Sequence, residues 1–246
     1  MATALITGAT SGLGLGFCEQ LAAEGQDLVI VARNTDRLEA LAARLRDERG
    51  VGVEVLAADL ADAGQRAAVE RRVVDVDILI NNAGFAIRSG FLTSDLEEEQ
   101  RLLDVMVAAP MRLCRLAAPA MVERGRGAII NVSSIAAWMP TGTYGAAKAY
   151  ITSLTESLAI DLKGTGVTAT ALHPGYTHTE LHQRAGMNMK SVPDFMWLDV
   201  DDVVATALKD ARAGRSMSVP GRQYQALGLA TRYGPRPLVR WAVRRG

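Results

Sequence analysis

At 246 residues the chain has the length of one α/β domain with room for a modest appendage. Apolar residues make up 49% of it and aromatics only 5%, which points to a core of Ala, Leu, Val and Ile, as in helices packed on a parallel sheet. A formal net charge of zero argues against a nucleic-acid binder and against a strongly acidic partner.

The balance conceals an asymmetry. From Ala211 to Gly246 there are eight Arg and no acid, so the first 210 residues carry 19 basic and 27 acidic residues. Cys18 and Cys114 are the only cysteines, and each lies in an apolar helical pattern, as expected for buried thiols in a reducing compartment. Glycine-rich sequence already begins at Gly8, with no signal segment before it, and no apolar run approaches 18 residues. The expectation is a cytoplasmic protein.

In chain order, Ala4–Thr7 is a short apolar strand that leads into GATSGLGLG and then a helical pattern to about Glu24. Gly8, Gly12 and Gly14 sit at this junction, where a glycine turn lets backbone N–H groups approach a pyrophosphate at a helix N-terminus. Glycine turns of this kind also serve tight packing alone. Asp27–Ala32 is a second buried strand, and it ends in Arg33 where an NAD-binding unit would carry an acid. A carboxylate would repel a 2′-phosphate and Arg33 can pair with it, which favours NADP(H). Arg37 is a weaker second candidate, more readily explained as a solvated helix residue.

A helix from about Asp36 to Glu48 and a strand at Val53–Ala57 follow. Asp59 comes just past that strand end, either holding an adenine edge or capping a helix that starts near Asp62. Val76–Ile80 is the fourth strand and ends in Asn81-Asn82-Ala83-Gly84, small and amide residues that permit close approach of a ligand. A long helical stretch from Asp95 to about Arg124 is expected to break near Pro110.

Strand Ala128–Val132 runs into two serines, a loop with Pro140 and Gly142, and a helix from about Thr143 to Lys163. Tyr144 and Lys148 lie one turn apart on one face of that helix. A cation there favours the phenolate, and a serine hydroxyl from the strand end can reach the same spot, so the three suit acid/base work on a carbonyl. Only four of the 27 basic residues are Lys, yet Lys stands here. Its pKa shifts readily, whereas Arg stays charged. Strand Val167–Leu172 ends in HPGYTHT, again placing Pro and Gly backbone at the binding edge. His178 and His182 have helical spacing, but solvated or substrate-facing histidines explain them better than a metal, for want of a third ligand.

Residues 180–200 lack clean periodicity and carry Met187, Met189, Phe195, Met196 and Trp197, the composition of a lid over an apolar substrate or of a small satellite core. A helix at Asp201–Ala213 and a strand at Ser216–Val219 close the sheet. The expected architecture is a doubly wound α/β domain with its crevice at the C-terminal strand edge.

TGATSGLG at Thr7–Gly14, NNAG at Asn81–Gly84, Ser134 with Tyr144-x-x-x-Lys148, and PGYTHT at Pro174–Thr179 together resemble the short-chain dehydrogenase/reductase superfamily, over roughly residues 3–220. The resemblance implies a single Rossmann-type domain with a seven-stranded parallel sheet, assembled as a homodimer or homotetramer. It implies that Tyr144 is the acid/base, that Lys148 lowers its pKa and holds the nicotinamide ribose, and that Ser134 rather than Ser133 bonds the substrate oxygen. Gly8, Ser11, Gly12, Leu13 and Gly14 would line the pyrophosphate turn, and Asp59 and Leu60 would approach the adenine. Asn81, Ala83 and Gly84 would border the adenosine ribose, and Pro174, Gly175, Thr177 and Thr179 the nicotinamide end. Ala32-Arg33 matches the NADP(H)-preferring pattern, and no metal is implied.

Two positions depart from the pattern. Met106 stands where many members have a water-anchoring Asn, and a thioether is a weak acceptor, which leaves the backbone carbonyl of residue 106 to hold a water. The loop from Ser134 to Tyr144 is also short. Residues 221–246 are set apart as a basic extension, in which Leu238, Trp241 and Ala242 form an apolar stripe among arginines. Docking on an acidic patch, of a sister subunit or of the same molecule, is favoured over contact with a membrane. The functional expectation is an NADP(H)-dependent reductase of a medium-sized apolar carbonyl, or the reverse alcohol oxidation, with Phe85, Trp138 and Met139 as walls. The alternative is a catalytically weak NADP(H)-binding protein read by a partner.

Overall fold

The computed structural model describes residues 2–87, 89–179, 192–237 and 239–240. Among them, β1 (Thr3–Thr7), β2 (Asp27–Ala32), β3 (Val53–Ala57), β4 (Ile78–Asn81), β5 (Gly127–Val132), β6 (Val167–Leu172) and β7 (Met217–Ser218) form one sheet. Its order is β3-β2-β1-β4-β5-β6-β7, with every pair parallel. The expected doubly wound architecture is therefore present.

Alternation along the strands feeds two apolar layers. Ala4, Ile6, Leu28 and Ile30 point to one face, where they meet Phe17 and Leu21 of α1 (Gly12–Ala23), Leu38 and Leu45 of α2 (Thr35–Arg49), and Val203 and Val204 of α7 (Val200–Arg212). Leu5, Val29 and Val31 point to the other, toward Val69 of α3 (Ala63–Arg72), Leu113, Ala117 and Met121 of α5 (Ala109–Glu123), and Leu158 of α6 (Gly142–Asp161). The chain builds outward from β1 through β2 to β3, then returns to place β4 on the other side. That reversal leaves a crevice above the C-terminal ends of β1 and β4.

Helix starts follow local chemistry. Asn34, Asp62 and Asp95 accept backbone N–H bonds at the starts of α2, α3 and α4 (Leu96–Leu103). Asp62 is thus the cap of α3, and Asp59 is not. The break expected near Pro110 takes the form of a π-helical turn at Asp104–Ala108 between α4 and α5. Pro110 has no N–H to give the carbonyl of Met106, four residues back, so an α-helical bond there is impossible. By length and composition the continuous Leu96–Glu123 helix would suffice to cross a membrane, but half of its apolar window is buried within this fold.

After β7 comes α8 (Arg222–Tyr233), whose Tyr224 is fully buried. The apolar stripe at Leu238, Trp241 and Ala242, and the expected lid residues 180–191 with His182, Met187 and Met189, lie outside the described residues.

Candidate active site

The glycine turn is built so that backbone alone lines it. Gly8 and Gly12 have φ of 68° and 53°, which only glycine adopts without strain. A Cβ on Gly14 would overlap the carbonyl oxygen of Gly8 and come within 2.5 Å of the Asn82 amide nitrogen. Unlike α2, α3 and α4, α1 has no side-chain cap, and its first turn carries no acid. Ser11 occupies the N-cap position with its hydroxyl uncommitted to the helix, so the donors and positive dipole end of α1 face the crevice. These are the features an anionic pyrophosphate requires, and the residues present fit a dinucleotide.

Two side chains outside the predicted set hold this turn to β4. The hydroxyl of Thr7 accepts the backbone N–H groups of Asn82 and Ala83, each at 3.0 Å. Asn82 Nδ2 donates to the carbonyls of Thr7 and Gly8 at 2.9 and 3.2 Å. Asn81 turns the other way. Its amide is buried and donates to Asn131 Oδ1 at 2.8 Å, so only its backbone can border a ribose. Ala83 and Gly84 lie at the crevice, with Met106 packed beneath Gly84.

At the ends of β2 and β3, Arg33 is exposed and its charge acts on Asp59. Asp59 Oδ2 accepts from Arg101 of α4 at 2.5 Å, and Oδ1 accepts from the N–H of Ala61 at 3.1 Å. Partial burial pushes the Asp59 carboxyl up, but the Arg101 hydrogen bond, the Ala61 N–H and the charges of Arg101 and Arg33 outweigh it and hold the pKa below the usual value. Leu60 buries its side chain, and its carbonyl accepts from Arg66 at 2.8 Å. Arg101 has no signature in the sequence, because its relation to Asp59 is made by the fold.

Ser134, Tyr144 and Lys148 meet above β5. The Ser134 hydroxyl lies close enough to the Tyr144 phenol to act on its pKa, and Ser134 Oγ accepts from the N–H of Ala136 at 3.1 Å. Ser133 faces inward, donating to the Lys148 carbonyl at 3.0 Å and pairing with Thr152 at 2.8 Å. Gly145 lets the short loop lie against α6, for a Cβ there would sit 3.0 Å from the carbonyl oxygens of both Ala136 and Met139. Lys148 is buried, with Nζ 5.7 Å from the Tyr144 ring centroid and bonded to the Val132 carbonyl at 2.6 Å.

The phenol departs from the sequence expectation. Burial raises the Tyr144 pKa, the nearby Ser134 hydroxyl opposing it, and Lys148 does not bring it down. The ammonium is directed at Val132, and burial has lowered its own pKa to about 8. Behind it, the Thr152 hydroxyl meets His173 Nε2 at 3.0 Å, and the imidazole stacks on Trp138 with centroids 4.5 Å apart. His173 was not singled out by sequence, and the indole on it adjoins the wall predicted at Trp138 and Met139.

The stretch after β6 crosses the mouth of the crevice. Thr179 packs on Gly12, and Thr177 is buried with its hydroxyl donating to the Gly175 carbonyl at 3.1 Å. A Cβ on Gly175 would overlap the ring of Tyr224, so this glycine makes room for a tyrosine. His178 stacks on Trp197 at 4.6 Å. Both cysteines are buried and unpaired, with burial raising both thiol pKa values, that of Cys114 to about 11.

A family model described as short chain dehydrogenase matches residues 2–190. A short chain dehydrogenase of Pseudocercospora fijiensis is 39% identical over 189 residues, covering 73% of this chain and 60% of that protein. The chain thus spans less than two thirds of that relative's length. Among solved structures, a short-chain dehydrogenase from Sphingobium yanoikuyae in complex with NADPH is 39% identical, with a TM-score of 0.86 over 94% of this chain and 93% of the other. A bulky-bulky ketone specific alcohol dehydrogenase from Comamonas testosteroni is 32% identical, with a TM-score of 0.81 over 94% and 92%. The glycine turn, the seven-stranded parallel sheet and these matches lead to one assignment: the chain belongs to the short-chain dehydrogenase/reductase family of oxidoreductases.

Proposed function

We propose that the protein is an NADP(H)-dependent carbonyl reductase, also able to run the matching alcohol oxidation, acting on a medium-sized apolar substrate. The observation that carries this reading is the Tyr144 phenol beside Ser134, with Lys148 Nζ 5.7 Å from its ring, at the edge of a crevice that fits a dinucleotide. The NADPH-bound Sphingobium structure and the exposed Arg33 at the end of β2 support NADP(H), and the ketone-specific Comamonas enzyme supports a bulky carbonyl substrate.

When bound, NADPH supplies a hydride to the carbonyl carbon. Tyr144, protonated at neutral pH because its pKa is raised, gives its proton to the carbonyl oxygen. Ser134 donates a hydrogen bond to that oxygen and stabilises the charge gathering on it. Lys148, as an ammonium, would bind the nicotinamide ribose. Phe85, Trp138 and Met139 would give the substrate side an apolar wall, while Arg33 would hold the 2′-phosphate, Asp59 the adenine, and Thr177 and Thr179 the nicotinamide end. Apolar side chains left exposed on α5 and α6, among them Leu116, Val122, Tyr150 and Ile160, support a homo-oligomer.

The test is NADPH oxidation with a panel of bulky ketones, aldehydes and quinones. Turnover is expected, and Tyr144→Phe should reduce it at least about 100-fold while NADPH binding survives. Retained turnover in that variant would refute the role of Tyr144. NADPH binding with no turnover on any substrate would favour the non-catalytic alternative.

A further inference from the structure

Tyr224 lies after the last strand, outside every motif of the family resemblance, yet its side chain is fully buried beneath the crevice. Its ring occupies the space that a Cβ on Gly175 would need. Its hydroxyl accepts the backbone N–H of Tyr176 at 2.9 Å and donates to the carbonyl of Met196 at 2.5 Å. One phenol thus joins two segments that are distant in sequence. The same segments are paired by backbone, Leu198 N–H to the Tyr176 carbonyl at 2.8 Å and His178 N–H to the Leu198 carbonyl at 3.1 Å. The neighbouring Gln223 adds a bond to the Phe195 carbonyl at 3.1 Å.

The backbone held in this way leads directly to Thr177 and to Thr179 against Gly12. A buried hydroxyl that satisfies one donor and one acceptor fixes their relative position more tightly than ring packing alone. We propose that Tyr224 is a positioning residue for cofactor binding: through its hydroxyl, α8 sets the backbone of 174–179 at the height where Thr177 and Thr179 receive the nicotinamide end of NADP(H). The inference rests on the NADP(H) reading above and extends it to a residue that touches neither cofactor nor substrate. The energy lost without the hydroxyl falls on a step that orders 174–179, which is cofactor binding, and leaves Tyr144, Ser134 and Lys148 in place.

The test compares wild type, Tyr224→Phe and Thr231→Val as full-length chains. Phe keeps the ring beneath Gly175 and removes only the hydroxyl. Thr231 is buried on the same helix, but its hydroxyl bonds within that helix, to the Leu227 carbonyl at 2.8 Å, so its variant controls for general loosening of α8. NADPH titrations should show about tenfold weaker binding for Tyr224→Phe, the loss of roughly one well-formed buried bond, and binding within twofold of wild type for Thr231→Val. In turnover, KM for NADPH should rise in Tyr224→Phe while kcat at saturating cofactor and its pH midpoint stay. Equal NADPH affinity in Tyr224→Phe and wild type overturns the positioning role, as does equal weakening by both variants. A wild type that does not bind NADPH overturns the parent reading and this inference with it.

Discussion

Lys148 is a buried base, and desolvation brings its pKa to about 8. On the proposed mechanism carbonyl reduction uses the Tyr144 proton and the Lys148 charge together, so raising the pH through about 8 should remove a required ammonium. In kcat/KM for reduction, which reports groups of the free enzyme, we expect a plateau near neutrality and a falling limb centred at about pH 8. Lys148→Arg keeps its charge throughout this range, and its falling limb should move up by at least about one pH unit, at a lower plateau rate. A limb that stays put would mean that another group sets it. The sequence brings Tyr144, Lys148 and Ser134 toward one place because two share a helix face and the third ends the adjacent strand. It misjudged the direction of the phenol pKa because that depends on where the ammonium points, and the Val132 carbonyl is a tertiary partner. Arg101 on Asp59 was illegible for the same reason.

Among the elements, the strands were read within two residues at either end, since buried parallel strands are continuous apolar runs bounded by turn residues. The long central helix was read as one stretch broken near Pro110, and the structure puts the irregularity at Asp104–Ala108, in the turn before that proline. Periodicity does not separate a π-turn from a kink, because both simply shift the apolar phase. This turn bears on function, for it contains Met106 and withholds an α-helical donor from its carbonyl, the group the sequence left to hold a water in place of the usual amide. Pro110→Ala supplies the missing N–H. The expected result is a straighter, more thermally stable helix with kcat for reduction lowered several-fold, a loss of roughly 1 kcal/mol in the proton-transfer step. Unfolding curves and steady-state kinetics measure the two effects. A variant equally active and more stable would show that the carbonyl of Met106 plays no part.

For the whole molecule, the same buried polar chain that backs the site makes stability depend on pH. His173 is fully buried between Thr152, the Ala171 carbonyl and the face of Trp138, and burial lowers its pKa from 6.5 to about 4, with the charges of Arg232 and Lys148 pushing the same way. In the unfolded chain this imidazole takes a proton below about pH 6.5, but in the fold it refuses one until about pH 4. Above pH 6.5 both states hold it neutral and its contribution is fully present. As the pH falls from 6.5 to about 4 the unfolded state binds the proton first and stability is lost, by up to ~3 kcal/mol. His173→Gln cannot titrate. It should be less stable than wild type near pH 7.5, because the stack and one hydrogen bond are weakened, yet the gap should close or reverse toward pH 4. Carboxylates elsewhere titrate alike in both proteins and cancel in the difference between their urea midpoints. A gap that is constant across this range would place the acid sensitivity in some other group and leave His173 a packing residue only.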